Sequence, residues 1–600
     1  MTNLLGAFPP AFILIFGALL IPFLRGRFRQ SFVVFLPLYA FVYIYQLDPA
    51  TTLTVPFLDY ELELIRADAW AKAFGYVFTL SAFATFIYGF YQNRAVEYMS
   101  SLMYVGSALG VMFAGDLLTV YIFWELLAIT SVNLILARRT EKSRKAGIRY
   151  IIVHVFGGLV LLAGIVMHIS STGSLAFTQF TEVNLASSLI LIGFLVNAAA
   201  LPMSSWLPDA YPEATVMGGV ILSAYTSKTA VYTLIRAFAG WEVLILVGLA
   251  MSVYGIVYAL LENDMRRILA YSLISQGGFM VCAVGIGTPL ALAGAAAHAF
   301  CCIIYFALLW MSAGAVLHQT GKSKCTDLGG LYQAMPWTFA FGTIGALAIS
   351  AVPFTSGFTS KTIILAAAEQ AHLFWPWLIL ELASAGVVLH AGIKFPYFVF
   401  FAKDRGLRPK EANKSMLVAM GFLSFICIYL GCFPEVLYNI LPHSELVKSV
   451  MPFKFSDIYM HHFPHVVTKF QMLSFSALVF FLCLPWLKRT DTISIDFDWT
   501  YRKGWSLFYS GVSRGFEVVN SGVHSLVVGT LTQGLVEFTK NAPAKILVFL
   551  LTPIWTIKRV PLKKQAELAK WIHVAISAGS FPIGWIGLGS LVFLAALFFI

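Results

Sequence analysis

Apolar runs of about 17 to 29 residues recur along almost the whole chain, separated by short polar loops. Each is long enough to cross a hydrocarbon core of roughly 30 Å as a helix. Hydropathy alone marks roughly sixteen such runs. The pattern predicts an all-α polytopic membrane protein with about 14 to 17 transmembrane helices. The first run, near residues 8 to 24, is followed at once by more, so it reads as a permanent helix rather than a cleaved signal peptide.

The pattern changes along the chain and suggests five regions. Residues 1–95 read as N-terminal transmembrane helices and 96–405 as a membrane core. Residues 406–487 add further transmembrane helices and a polar stretch with His443, His461, His462 and His465. Residues 488–581 are amphipathic and polar, and 582–600 form a final span. In 488–581, Lys540, Lys545, Lys558, Arg559, Lys563, Lys564 and Lys570 alternate with Leu, Phe and Trp. That suits either a helix lying along a membrane surface or a neighbouring protein, or a solvated connecting region.

Composition supports the membrane reading: 59% of residues are hydrophobic and only 12% are charged. The net charge of +11 does not indicate nucleic-acid binding, because the basic residues are scattered over short loops. Arg25, Arg27 and Arg29, Arg138 to Lys145, Arg266 and Arg267, and Lys322 and Lys324 follow odd-numbered spans, which the positive-inside rule places in the cytoplasm. The next basic loop, Lys403 to Lys414, breaks that parity, and a broken or re-entrant helix around Pro353 and Gly357 would account for it. The seven cysteines form no CxxC pair, and no His/Cys cluster has ligand spacing, so neither a metal site nor a disulfide framework is indicated.

Ionisable residues inside the apolar runs are the candidate chemistry, since a charge near mid-bilayer costs about 2.5 to 3.5 kcal/mol on insertion scales. Glu125 lies about nine residues into a helix beginning near Asp116, and Lys228 is similarly deep in the segment 215–237. A buried carboxylate and lysine can hold each other charged and so form either a proton switch or a static ion pair. Further along come His298, Lys361, Glu381, His390 and Lys394. His390 and Lys394 share a helical face, and Glu381 precedes His390 by roughly two and a half turns. Each histidine alone reads as a core hydrogen bonder; the series reads as a proton path. The tetrapeptide Thr-Ser-Lys-Thr occurs twice, at 226–229 and 359–362, in apolar segments interrupted by Gly or Pro, as an inverted-repeat transporter would show at its centre.

Over roughly residues 100 to 400 the sequence resembles the antiporter-like subunits common to Mrp cation/proton antiporters, complex I and membrane-bound hydrogenases. The resemblance rests on Gly115-Asp116-Leu117-Leu118-Thr119 through Phe123-Trp124-Glu125, then Trp206-Leu207-Pro208-Asp209-Ala210 with Glu213-Ala214. It continues with Ser227-Lys228-Thr229 and Leu234-Ile235-Arg236, Asp264 to Ser272 with Ser275-Gln276, and Ser356-Gly357-Phe358 with Ser360-Lys361. It implies an antiporter-like proton-translocating core at 96–405, built of two inverted five-helix repeats that each contain a broken helix. It further implies Glu125 and Lys228 as a coupled pair and Lys361 as the terminal lysine of the second repeat. His390-Ala391-Gly392-Ile393-Lys394-Phe395-Pro396-Tyr397 looks more like the D-type branch of the Mrp antiporters than complex I. The family usually places His, His and Lys four apart in a central helix. Here those positions hold His298, Cys302 and Phe306, so the central lysine is missing.

The expected function is proton translocation, with sodium as a candidate counter-ion, in one subunit of a multi-subunit Mrp-like antiporter of the bacterial inner membrane. Other membrane subunits are the implied partners. The alternatives are a proton-pumping subunit of a complex I-like NADH-quinone oxidoreductase or hydrogenase, and a non-conducting membrane scaffold. No Gly-rich nucleotide loop or Fe–S cysteine set is present, so no cofactor and no intrinsic catalysis are expected. In a redox complex the chain would serve as a translocase subunit.

Overall fold

The computed structural model describes residues 7–451, 463–485 and 496–577, with residues 587, 590, 591 and 594. His461, His462, the side chain of His465 and nearly all of the expected 582–600 span lie outside the described residues. The chain divides into two units, one ending at Asp498 and the other starting at Trp499.

The first unit is a bundle of helices. It opens with α1 (Pro10–Leu20) and α2 (Gly26–Gln46), followed by an antiparallel hairpin, β1 (Thr52–Phe57) and β2 (Tyr60–Arg66), which the hydropathy pattern did not reveal. Then come α3 (Ala69–Tyr88), α4 (Ala95–Phe113), α5 (Leu117–Leu136), α6 (Glu141–Thr172), α7 (Leu185–Asn197), the short α8 (Trp206–Ala210), α9 (Val216–Ala224) and α10 (Thr226–Ala237). The central helices are α11 (Val243–Leu261), α12 (Met265–Ile286) and α13 (Pro289–Thr320), followed by α14 (Pro336–Ile349), α15 (Ser356–Gln370) and α16 (Phe374–Val387). Closing the unit are α17 (Lys414–Cys432), α18 (Glu435–Tyr438), α19 (Ser444–Val450) and α20 (Phe463–Cys483). Among the described residues, ten helical stretches are long and apolar enough to cross a membrane, and three shorter apolar helices accompany them. The protein is an all-α, multi-pass membrane protein.

Polar residues start and stop these helices. Asp68, Asp116, Thr140, Asn184, Thr215, Asp264 and Thr288 each accept a first-turn backbone N–H, satisfying donors that lipid could not. α12 and α13 are buried along nearly their whole length, whereas α2 and α20 expose most of theirs. Gly248 and Gly255 on α11 let α12 approach closely: a Cβ on them would stand 2.3 Å from Cys282 N and 2.6 Å from Ser275 N.

The ends of the bundle differ. At one end the hairpin joins the α4–α5 turn through Gly115 N–H to Glu63 O (2.9 Å), and Asp68 pairs with Arg236 at 2.6 Å. At the other, Arg29 donates to Asn93, Arg138 pairs with Glu213, Asp264 bonds Ser323, and Gln319 donates to Glu411 O. The basic loops expected in the cytoplasm therefore gather at one end, including 403–414.

Two helices of the bundle are interrupted, the second where the broken parity led the sequence reading to expect it. α9 stops at Ala224 and α10 starts at Thr226, with Tyr225 between them at φ −105° and ψ −66°. α14 and α15 are separated by residues 350–355, where Ala351 and Phe354 take positive φ (55° and 70°) around Pro353. Beyond α16, residues Val388–Lys394 and Tyr397–Phe401 wind as π-helix on either side of Pro396, which cannot donate to the ladder.

The second unit is helical over α21 (Asp498–His524), a π-helical stretch (Ser525–Thr532), α22 (Gln533–Ile557) and α23 (Leu562–Ser577). Most of its side chains are exposed, including Trp505, Phe508, Phe516 and Phe549.

Candidate ion-translocation site

Each of the two matching tetrapeptides lies at the start of a half-helix and carries its lysine into the interior. Lys228, on the first turn of α10, is 2% exposed and donates to Ser223 O of α9 at 3.1 Å. Its ammonium stands 5.3 Å from the centre of the Phe306 ring. Lys361, on α15, is 1% exposed, donates to Ile349 O at the end of α14 at 2.7 Å, and stands 5.2 Å from the Phe279 ring. Both ammoniums thus meet the same two kinds of partner: a carbonyl released by the helix break, and an aromatic face.

Between them lies α13. His298 is fully buried, its Nδ1 is 3.1 Å from Ser360 Oγ, its Nε2 has no partner among the described residues, and it is within electrostatic reach of both lysines. Tyr305 donates to Gln276 Oε1 at 3.3 Å, and the Gln276 amide nitrogen has no partner among the described residues. Phe306 holds the position where the resemblance calls for a lysine, and its ring covers Lys228.

Among the described residues Glu125 and Lys228, the coupled pair implied by the resemblance, make no direct salt bridge. Glu125 instead turns toward α6: a Cβ on Gly158 would lie 1.8 Å from Glu125 Oε1, which has no hydrogen-bond partner among the described residues. Two helices fix the depth of their charges but not the direction each side chain takes. On the same face of α6, one turn before Gly158, stands His154, a residue that the hydropathy pattern did not single out. It is 1% exposed, its Nδ1 is 2.9 Å from Tyr150 O, and its Nε2 has no partner among the described residues. From there a cluster of hydroxyls leads toward Lys228: Tyr150 with Ser131 (2.8 Å), the buried Tyr211, and Tyr104 with Thr226 (2.5 Å), two residues before the lysine.

The remaining candidates lie beyond this row, with Glu381, Lys469 and His390 within electrostatic reach of Lys361. Glu381 pairs with Lys469 of α20 at 2.6 Å; the lysine is 4% exposed. Lys469 escaped the sequence analysis because it opens an apolar run, where a lysine reads as an end marker; the unmatched Glu381 was the available signal. This pair borders a cavity of about 700 Å³ lined also by Thr362, Glu369 and His372. His390 is satisfied on both nitrogens, by Gly386 O and Ser272 Oγ at 2.9 Å each. Lys394 donates to Ala259, Leu260 and Glu262 carbonyls at 3.1, 2.6 and 2.6 Å, capping the end of α11.

Comparison with known proteins shows what this architecture is similar to. Residues 114–386 match the profile described as NADH:quinone oxidoreductase/Mrp antiporter, TM. The chain is 28% identical over 517 residues to the A subunit of the Na(+)/H(+) antiporter of Alkalihalophilus pseudofirmus, covering 74% of this chain and 64% of that one. It is 31% identical over 386 residues to the A1 subunit of the Na(+)/H(+) antiporter of Staphylococcus aureus (strain JH9), covering 57% and 48%. It thus spans roughly half to two thirds of these relatives, which are of the A type rather than the D type suggested by residues 390–397. The fold is similar to a chain of the Mrp complex from Dietzia sp. DQ12-45-1b, with a TM-score of 0.74 at 22% identity, covering 88% of this chain and 62% of that one. A chain of respiratory complex I from Thermus thermophilus gives a TM-score of 0.65 at 20% identity, covering 74% and 98%. Residues 114–386 thus match the membrane segment shared by NADH:quinone oxidoreductases and Mrp antiporters, and the chain as a whole is similar to the antiporter subunits that carry it.

Proposed function

We propose that the chain is a proton-translocating component of a multi-subunit, Mrp-like cation/proton antiporter, and that protons pass through its interior by way of Lys228, His298 and Lys361. The observation that carries this reading is the matched setting of the two lysines on either side of His298. An ammonium held by one carbonyl and a ring face, with no carboxylate in contact among the described residues, can give up its proton without stranding a buried anion. Glu125 serves as the loading carboxylate, reaching Lys228 through His154 and the Tyr150, Tyr211, Tyr104 and Thr226 hydroxyls, a row of donors and acceptors suited to proton transfer. Phe306 closes the straight line from Lys228 into α13, so His298 takes the part the absent lysine would play. Glu381 and Lys394 act as structural charges near this path, and His390 as a hydrogen bonder between α12 and the π-helical segment.

The test is co-expression with the neighbouring subunits in an antiporter-deficient strain, followed by sodium-driven and potassium-driven pH changes in everted vesicles. The reading expects a cation response in wild type that Glu125→Gln abolishes at unchanged membrane content. No response to either cation in wild type would shift the assignment to a redox-driven complex.

A further inference from the structure

One buried carboxylate takes no part in the path above. Glu97, on the first turn of α4, is 1% exposed. Its Oε1 accepts from Thr215 Oγ1 at 2.5 Å, and its Oε2 is buried with no hydrogen-bond partner among the described residues. Its ion-pair partner, Arg94, stands 4.0 Å away with its own side chain largely in solvent. Thr215 is the N-cap of α9, its Oγ1 accepting from Gly218 N–H at 2.9 Å. At the far end of the same half-helix, Ser223 O accepts from Lys228. The nine residues of α9 thus run from a carboxylate at their positive pole to an ammonium at their negative pole, about 13 Å apart along the axis.

We infer that Glu97 is the electrostatic counterpart of Lys228, acting through α9. It is a positioning residue whose charge favours the ammonium and whose neutralisation favours release of its proton. α9 is suited to this because it is interrupted: a continuous helix would leave no free Ser223 carbonyl for the lysine. Tyr98 on α4 and Tyr91 in the preceding turn are within electrostatic reach of Glu97, and Arg266 on α12 donates to Thr215 O beside it at 3.2 Å. Those facing Lys228 are His298 and Cys302 on α13. The inference deepens the transport reading and rests on Lys228 belonging to the path, but the coupling has its own readout.

A hydrophobic carbodiimide labels buried carboxyl groups in their protonated form. The rate of labelling at Glu97 is to be followed against pH in membranes of the full chain with its neighbouring subunits, by mass spectrometry of the peptide. Wild type is compared with Lys228→Met and Lys228→Arg. In Lys228→Met the labelling profile should move to higher pH by about one unit, because the carboxylate has lost its distant cation, and Lys228→Arg should restore the wild-type profile. A profile that stays in place in Lys228→Met, or moves equally in both variants, overturns the inference. Because labelling requires no transport, a wild type without cation response would count against the proposed function alone.

Discussion

The Lys228 ammonium lies 5.3 Å from the centre of the Phe306 ring, which holds the position where the family resemblance implies a lysine. The aromatic ring is therefore a ligand of the buried charge rather than a gap in the path. Replacing Phe306 by Leu keeps apolar packing and removes the ring face, a loss of about 1 to 2 kcal/mol for a desolvated pair. The expected result is a lower thermal midpoint of the purified protein. Phe306→Lys should lower it further, since it sets two cations against each other.

Glu381 and Lys469 are expected to behave as a structural pair. Glu381→Gln strands a lysine that is 4% exposed and should cost about 3 kcal/mol, whereas Glu381→Gln combined with Lys469→Met should recover most of it. Thermal unfolding of the three proteins checks this. Transport that returns in the double variant would show that Glu381 carries no proton.

Lys394 and His298 should separate stability from transport. Lys394→Met leaves three carbonyls at the end of α11 without their donor and should destabilise the protein by about 2 to 3 kcal/mol. His298→Gln keeps most of the buried volume and a polar atom near Ser360, and should cost little stability while abolishing vesicle transport. Paired unfolding and transport measurements on both variants would read the difference.

The depth of Lys228 and Lys361 was legible in the sequence because a charge inside an apolar run needs a structural reason, and the repeated tetrapeptide marked both helix breaks. Their partners were not. Ser223 O and Ile349 O become available only where the helices stop, and periodicity does not say where a ladder fails. Glu381 meets Lys469 across 88 residues, beyond any local pattern. Asp496 is similar: it accepts from Tyr254 and Tyr271 in the core, yet in sequence it sits in a polar stretch that reads as a loop. The hairpin at 52–66 was hidden between two stronger apolar signals. Glu125 was placed inside a helix, but its position beside Gly158 of α6 was not legible, because spacing along one helix does not say which adjacent helix a side chain will meet.

The most direct test of the account is the sodium-driven pH change in everted vesicles carrying the assembled complex, measured for wild type, Lys228→Ala and Lys361→Ala at matched membrane content. The account predicts a response in wild type and its loss in both variants. Wild-type rates in both variants would contradict it, because no proton path through the two buried lysines could then be sustaining transport.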